Sequence, residues 1–163
     1  TAPPSSPRSA TTVPTSSVAM SHCMFHTSAA ERGASRGMDQ ISVPVSRHTE
    51  VRRADLPDAP GLSVLLDSDQ AGLCLVRDAA KRQIYMFNHL EYDTDTLGDE
   101  YHRDVAAGME IKPPTDYFPN GDPTQAPVNQ WRAHANVLIG NWINGLYQST
   151  SFELAGIPAP SGK

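Results

Sequence analysis

The sequence is poor in cysteine, with only Cys23 and Cys74 among 163 residues. Two cysteines cannot make the framework of several disulfides that holds small secreted proteins together, so a reducing, cytoplasmic setting is the default expectation. The sequence also lacks a run of about 18 apolar residues, so no membrane-spanning helix is predicted. It contains neither an H-E-x-x-H motif nor a closely spaced cysteine pair, and therefore no common zinc motif.

Positive charge is scarce as well, because 13 lysines and arginines stand against 18 aspartates and glutamates and leave a net charge of −5. Nucleic acids and anionic membrane surfaces bind basic patches, so neither is expected as a partner. Hydrophobic residues make up 39% of the chain and prolines number 14, which indicates that part of it is not packed. The length allows one domain of ordinary size.

Composition divides the chain into three parts. Residues 1–35 are rich in Ser, Thr, Pro and Ala and contain Glu31 as their one acid. Such a segment buries too little apolar surface to offset the entropy lost on ordering, so we predict a disordered or low-complexity tail, with an organelle transit peptide as the alternative. A folded domain is predicted over residues 36–152, and a polar tail over residues 153–163.

Four segments in the first half of this domain have the patterns of strands. Apolar and polar residues alternate over residues 41–46, but Pro44 cannot donate a hydrogen bond, so this segment is predicted as an edge strand or a loop. Three short strands joined by tight turns are predicted at residues 61–68, 73–77 and 82–87. Such short connections favour an antiparallel meander.

Two helices are predicted in the second half. The first begins near Asp93 or Thr94, ends at Gly108 and buries residues spaced four apart, namely Leu97, Tyr101 and Val105. The second spans residues 131–148, has Asn129 as its expected cap, and buries a stripe at 3–4 spacing made of Trp131, Ala135, Leu138, Trp142 and Leu146. The proline-rich residues 109–130 are predicted to form a long loop or covering segment, anchored by Tyr117 and Phe118.

Residues that could carry chemistry follow the third strand of the meander. His89 and Glu91 stand two residues apart, so in an extended chain their side chains lie on the same side. A carboxylate that accepts from one imidazole nitrogen leaves the other free as a base for a cysteine or serine supplied from elsewhere. The pair can also be a surface accident, and a metal site of His89, Glu91, Asp93 and His102 is a rival interpretation.

Four segments resemble the C-terminal part of the homoserine O-acyltransferase family. They are SRHTEV (46–51), NHLEYDTDTLGDEYHRDVAAG (88–108), DYFPNGDP (116–123) and NQWRAHANVLIGNWINGLYQST (129–150). These segments occur in the order and at the spacing of the family, and the likeness runs from about Arg36 to Phe152. Where the family pattern is G-H-P-E-Y-D, this chain has Asn88 and Leu90 in place of the Gly and Pro.

The resemblance implies an α/β fold, namely the C-terminal portion of a flavodoxin-like sandwich similar to class I glutamine amidotransferases, with short strands followed by two helices. It also implies ping-pong acyl transfer from acetyl-CoA or succinyl-CoA to the hydroxyl of homoserine, in methionine biosynthesis, by a Cys-His-Glu triad. His89 would be the base and Glu91 its orienter. Arg103 would bind the homoserine carboxylate, and Ser46 would contact substrate or acyl donor. No further cofactor is implied, and a homodimer is compatible with the resemblance.

The nucleophilic cysteine of the family lies in a C-W-G/A-x-Q-A type motif, which this sequence does not contain. Cys23 stands where the family has a lysine, and Cys74 matches a strand position as a buried small residue, so neither is assigned as the nucleophile. We therefore expect a fragment with two of the three triad members that is inactive by itself. A non-enzymatic binding module using Ser46 and Arg103 is the alternative, and a glutamine amidotransferase or peptidase relative is a third.

Overall fold

A computed structural model describes residues 14–25, 33–153 and Gly156. Within these residues the chain forms five strands, two α-helices and two short 3₁₀ turns, at Arg53–Asp55 and Pro119–Gly121. The strands are β1 (Pro14–Phe25), β2 (Gln40–Thr49), β3 (Leu62–Ser68), β4 (Gly72–Asp78) and β5 (Gln83–Met86), and the helices are α1 (Thr96–Ala106) and α2 (Arg132–Ser149).

The strands form one antiparallel sheet in the order β2-β1-β3-β4-β5. The predicted meander is confirmed as β3, β4 and β5, each paired with its neighbour in sequence. The segment around Pro44 is β2, which lies at the edge of the sheet, where a residue without an N–H is tolerated. β1 joins the two parts of the sheet, since it pairs with β2 along most of its length and with β3 through Met24 and Phe25.

β1 lies inside residues 1–35, and for Pro14–Phe25 the prediction of disorder is wrong. The Ser- and Thr-rich composition does not indicate that Met20 and Cys23 are core residues, although their side chains are buried in the core. The backbone of β1 is satisfied by its long pairing with β2, which a side-chain pattern does not reveal. Residues 1–13 and 26–32 lie outside the described residues, as does most of the predicted tail at 153–163.

Helix α1 confirms the first predicted helix, but fewer of its side chains are buried than predicted. Leu97 is fully buried and Tyr101 partly, whereas Val105 is 45% exposed, so the prediction that Val105 is buried is wrong. The helix leaves the core as it proceeds, because its contacts with Tyr117 and Phe118 come from Gly98, Tyr101 and His102 and not from its last turn. Gly108 follows its end as predicted, with a positive φ of 80° and an N–H that donates to the Val105 carbonyl at 2.9 Å.

Gly98 lowers the helix propensity of α1, and the closeness of Tyr117 explains why a glycine occupies this position. The Tyr117 hydroxyl accepts the N–H of Gly98 at 3.1 Å and donates to the carbonyl of Thr94. A Cβ at Gly98 would stand 3.3 Å from this hydroxyl and 3.5 Å from the ring of Phe118. Tyr117 and Phe118 are both buried, which confirms them as anchors of the proline-rich segment.

Helix α2 packs through its first half. Trp131 and Leu138 are buried, whereas Trp142 and Leu146 are 45% and 40% exposed, so the predicted continuous stripe is wrong for the second half. The spacing correctly shows which side chains share a side of the helix, but not how much of that side is covered. Among the residues that the structure describes, no helix has both the length and the apolar character needed to cross a membrane.

Cys23 of β1 and Cys74 of β4 form a buried disulfide, although β3 lies between these strands in the sheet. The burial of Cys74 is as predicted, but its pairing with Cys23 was not expected. The two cysteines are 51 residues apart in sequence, and their meeting depends on the curvature that brings β1 across β3. The bond therefore ties the β1–β2 part of the sheet to the meander.

Reduction of this disulfide is expected to lower the free energy of unfolding by about 4 kcal/mol, because the reduced unfolded chain regains the entropy of an open loop of this length. Urea denaturation with and without dithiothreitol measures the difference. In a double variant, Cys23→Ala with Cys74→Ala, the reductant should change nothing. Alkylation of both thiols in the folded protein, without prior reduction, would show that the bond is not formed.

Candidate active site

The loop between β5 and α1 crosses from one strand of the sheet to another. The N–H of Phe87 donates to the carbonyl of Cys74 in β4 at 2.9 Å, and the N–H of His89 donates to the carbonyl of Pro44 in β2 at 2.9 Å. Asn88, between them, is buried. This crossing places His89 beside Ser46, which is 43 residues earlier in sequence.

His89 and Glu91 contact each other, as their spacing predicts, with 2.7 Å between His89 Nδ1 and Glu91 Oε1. The pair lies in the loop rather than in a strand, since β5 ends at Met86. The side chain of His89 is 32% exposed and that of Glu91 is 68% exposed. The imidazole is thus the more protected member of the pair.

The second nitrogen of His89 also has a partner, because Nε2 lies 3.2 Å from the backbone carbonyl oxygen of Ser46. Both ring nitrogens therefore face acceptors. A protonated imidazole donates to both, whereas a neutral ring donates to one of them. For His89 to accept a proton at Nε2, this nitrogen must first leave the Ser46 carbonyl.

The other two predicted site residues take different positions. Ser46 lies in β2, where its backbone carbonyl faces Nε2 of His89. Arg103 lies on α1 with its side chain 67% exposed, and its Nε donates to Asp104 Oδ1 at 2.8 Å. This hydrogen bond raises the pKa of Arg103, with a smaller contribution from the charge of Glu100. The Nη1 and Nη2 groups of the guanidinium remain as further donors for a ligand carboxylate while Nε stays on Asp104.

Tyr92 is a site residue that the sequence interpretation missed. Its ring stacks on the imidazole of His89, with the ring centroids 4.3 Å apart and the planes at 20°. Its hydroxyl donates to Glu100 Oε1 at 2.7 Å. Burial first, and then Glu100, raise the pKa of Tyr92 to about 12, so the phenol stays neutral at physiological pH. The available signal was an aromatic residue directly after the H-x-E pair.

Helix α2 holds the other end of the loop. The indole Nε1 of the buried Trp131 donates to the carbonyl of Tyr92 at 2.9 Å. The N-cap of the helix is Trp131 rather than the predicted Asn129, but Asn129 stabilises this end, since its Oδ1 accepts the N–H groups of Trp131 and Arg132 at 3.2 and 2.9 Å. Arg132 in turn donates to Asp93 Oδ1 at 2.6 Å. The loop is therefore fixed between β2 and the start of α2.

The structure does not assemble the rival metal site. Asp93 is paired with Arg132, and the ring of His102 lies against Phe118, with centroids 5.9 Å apart. Among the described residues, no three His, Cys, Asp or Glu side chains lie close enough together to hold a metal ion. The geometry that remains is an imidazole oriented by a carboxylate, which suits proton transfer.

Comparison with known proteins agrees with the motifs around this loop. The model of the homoserine O-succinyltransferase family matches residues 21–152. The chain belongs to this family. It is 55% identical over 119 residues to the homoserine O-acetyltransferase of Allorhizobium ampelinum, covering 73% of this chain and 38% of that protein. It is 54% identical over 116 residues to the homoserine O-acetyltransferase of a Chelativorans species, covering 71% of this chain and 37% of that protein.

The homoserine O-succinyltransferase family membership agrees with the fold. The structure is similar to that of a glutamine amido transferase from Methylobacillus flagellatus, with a TM-score of 0.51 and 15% identity, covering 83% of this chain and 55% of that one. This likeness confirms the glutamine amidotransferase-like α/β fold. The chain spans about 38% of the length of the first curated relative that it matches, so the activity of a whole family member remains a matter for proposal.

Proposed function

We propose that this chain carries the base, the orienter and the homoserine-binding residues of a homoserine O-acyltransferase, within a domain of residues 36–152. The observation that supports this most is the 2.7 Å contact between His89 and Glu91 beside Ser46, at positions that match the motifs of the family. The proposed reaction belongs to methionine biosynthesis in the cytoplasm, with acetyl-CoA or succinyl-CoA as acyl donor and no further cofactor.

The proposed reaction has two halves. A cysteine thiol first gives its proton to the base and attacks the thioester carbonyl of acyl-CoA as the thiolate, so that coenzyme A leaves with that proton as its thiol and the acyl group is bound to the cysteine as a new thioester. The hydroxyl oxygen of homoserine then attacks this carbonyl while His89 Nε2 takes the hydroxyl proton. The sulfur leaves and receives that proton from His89, and the O-acyl bond is complete.

His89, Glu91 and Arg103 each act in the second half of the proposed reaction. Glu91 accepts from Nδ1 and stabilises the imidazolium that forms when His89 takes the proton. The homoserine hydroxyl takes the position of the Ser46 carbonyl as the partner of Nε2. Arg103 donates from its Nη groups to the homoserine carboxylate while Nε stays on Asp104, and a charge-assisted hydrogen bond of this kind gives both affinity and orientation.

A homoserine-binding module without turnover is the second candidate, and one observation favours it. Both cysteine side chains are fully buried in the core, where they are joined in a disulfide, so neither sulfur is accessible to an acyl-CoA. The family motif around the nucleophile is also absent from the sequence. The isolated chain is therefore proposed to bind homoserine and to leave acyl-CoA intact.

Substitution of Arg103 separates these candidates from a chain that has no site. We expect calorimetry to detect homoserine binding by the isolated chain, and Arg103→Ala to weaken it by about 10- to 100-fold through the lost charge-assisted hydrogen bond. Arg53→Ala is the matched control, since it removes another exposed ion pair, with Asp67 at 3.0 Å. A thiol assay with acetyl-CoA and succinyl-CoA should detect no coenzyme A release.

Each result has a distinct meaning. Release of coenzyme A by the isolated chain would contradict the proposal that it lacks a nucleophile. Equal homoserine affinity in Arg103→Ala would exclude Arg103 as the carboxylate-binding residue. If the unchanged chain binds neither homoserine nor an acyl-CoA, both candidate functions fail.

A further inference from the structure

Tyr92 connects the separate parts of the proposed site. Its ring lies on the imidazole of His89, with a centroid distance of 4.3 Å. Its hydroxyl donates to Glu100 Oε1 on α1 at 2.7 Å. Glu100 is one helical turn before Arg103. Tyr92 therefore contacts both the helix that carries the proposed substrate anchor and the ring of His89, which itself meets β2 at the Ser46 carbonyl.

The position of Tyr92 is fixed from its backbone as well as from its hydroxyl. Its carbonyl oxygen accepts from the indole of Trp131 at 2.9 Å, and this indole is fully buried. At the other end, Glu100 Oε2 is buried and has no hydrogen-bond partner among the described residues, so the phenol is the hydrogen-bond donor that the structure gives this carboxylate. Loss of the phenol would take this donor from the half-buried Glu100, which is costly because its Oε2 is already buried without a partner among the described residues.

The imidazole needs such a neighbour for a geometric reason. The contacts of His89 with Glu91 and with the Ser46 carbonyl act at opposite nitrogens of the ring. These two contacts hold both nitrogens in place, but the imidazole ring can still rotate about the axis that joins the two nitrogens. A stacked aromatic face stops the tilt, because the two planes stay near parallel at van der Waals distance.

We propose that Tyr92 is a positioning residue for His89. It fixes the plane of the imidazole so that Nδ1 stays on Glu91 while Nε2 exchanges the Ser46 carbonyl for a substrate hydroxyl. It also links this plane, through Glu100, to the helix of Arg103. The identity of that substrate as homoserine rests on the proposed function, but the positioning of the ring does not. The high pKa of the phenol keeps it a neutral donor, so it does not act as a base itself.

Ring-current shifts in carbon-resolved proton NMR spectra test the proposal directly. We expect the His89 ring protons of the unchanged chain to be displaced upfield by the Tyr92 ring, with His89→Gln identifying the signals. Tyr92→Phe should keep this displacement, and Tyr92→Leu should lose it. Tyr147→Leu is the control, since Tyr147 is exposed on α2 and its ring lies against Phe152. Unchanged His89 signals in a folded Tyr92→Leu variant would overturn the proposal.

Two further measurements separate the positioning of His89 from the folding of a variant and from the proposed function. Nuclear Overhauser contacts between the rings of Tyr92 and His89 need no variant, and their absence in the unchanged chain would also overturn the proposal. Calorimetry of Tyr92→Phe should show homoserine bound about tenfold more weakly, because Glu100, one turn before Arg103, loses its hydrogen-bond donor. If the unchanged chain shows the ring contacts but binds no homoserine, the proposed function fails while the positioning of His89 stands.

Discussion

Replacement of His89 by Ala should lower acyl transfer by about 10²- to 10⁴-fold, the contribution that a general base makes. Because the sequence contains no family nucleophile motif, the measurement requires a chimera. Residues 33–153 of this chain would replace the matching segment of the homoserine O-acetyltransferase of Allorhizobium ampelinum, to which the chain is 55% identical. Coenzyme A release from acetyl-CoA in the presence of homoserine then reports the activity of His89 in a complete domain.

The chimera also provides its own controls. His48→Ala changes an exposed histidine of β2 within the same set of matching segments and should leave the rate within about twofold, since surface changes rarely disturb packing. Glu91→Gln keeps an acceptor for Nδ1 but removes the charge that stabilises the imidazolium, so its loss should fall between those of the other two variants. A His89→Ala chimera within tenfold of the parent rate would exclude His89 as the base.

Replacement of Trp131 by Ala should lower the free energy of unfolding by about 3–5 kcal/mol, the usual cost of removing a buried tryptophan. This side chain is fully buried, and its indole N–H is the donor to the Tyr92 carbonyl. The variant therefore leaves both a cavity at the start of α2 and an unpaired carbonyl under the His89 loop. Urea denaturation monitored by circular dichroism measures the loss.

Trp142→Ala is the matched control for Trp131→Ala. It also removes a tryptophan side chain, but Trp142 lies in the second half of α2 and is 45% exposed. The free energy of unfolding should therefore fall by about 1 kcal/mol or less. Each variant retains one tryptophan, and its fluorescence reports on one half of α2. Equal losses in the two variants would contradict the conclusion that only the first half of α2 is packed.

Short-range patterns account for the parts of the fold that were predicted. Alternation and tight turns identify β3, β4 and β5 because a strand and its turn are encoded within about ten residues. Pro44 marks an edge because its missing N–H is a local chemical fact. The contact between His89 and Glu91 was predicted for the same reason, since residues two apart are held near each other whether the chain is a strand or a loop.

Long-range relations account for the parts that were missed. The carbonyl of Ser46 meets His89 across 43 residues, and Trp131 meets the carbonyl of Tyr92 across 39. The sequence contains no pattern that indicates which residue a backbone carbonyl or an indole N–H will bind. The exposed half of α2 was missed because helical spacing records which side chains share a side, and not what lies opposite them.

The edge position of β2 has a consequence for solubility. Free carbonyl groups along an edge strand invite pairing with another molecule, and natural sheets protect such edges with prolines or covering loops. Here Pro44 has no N–H, its carbonyl accepts from the backbone of His89, and the Ser46 carbonyl two residues later faces the imidazole of the same residue. The loop that carries the proposed chemistry thus also shields the sheet from self-association. Variants that release His89 from β2 should be examined for aggregation as well as for lost binding.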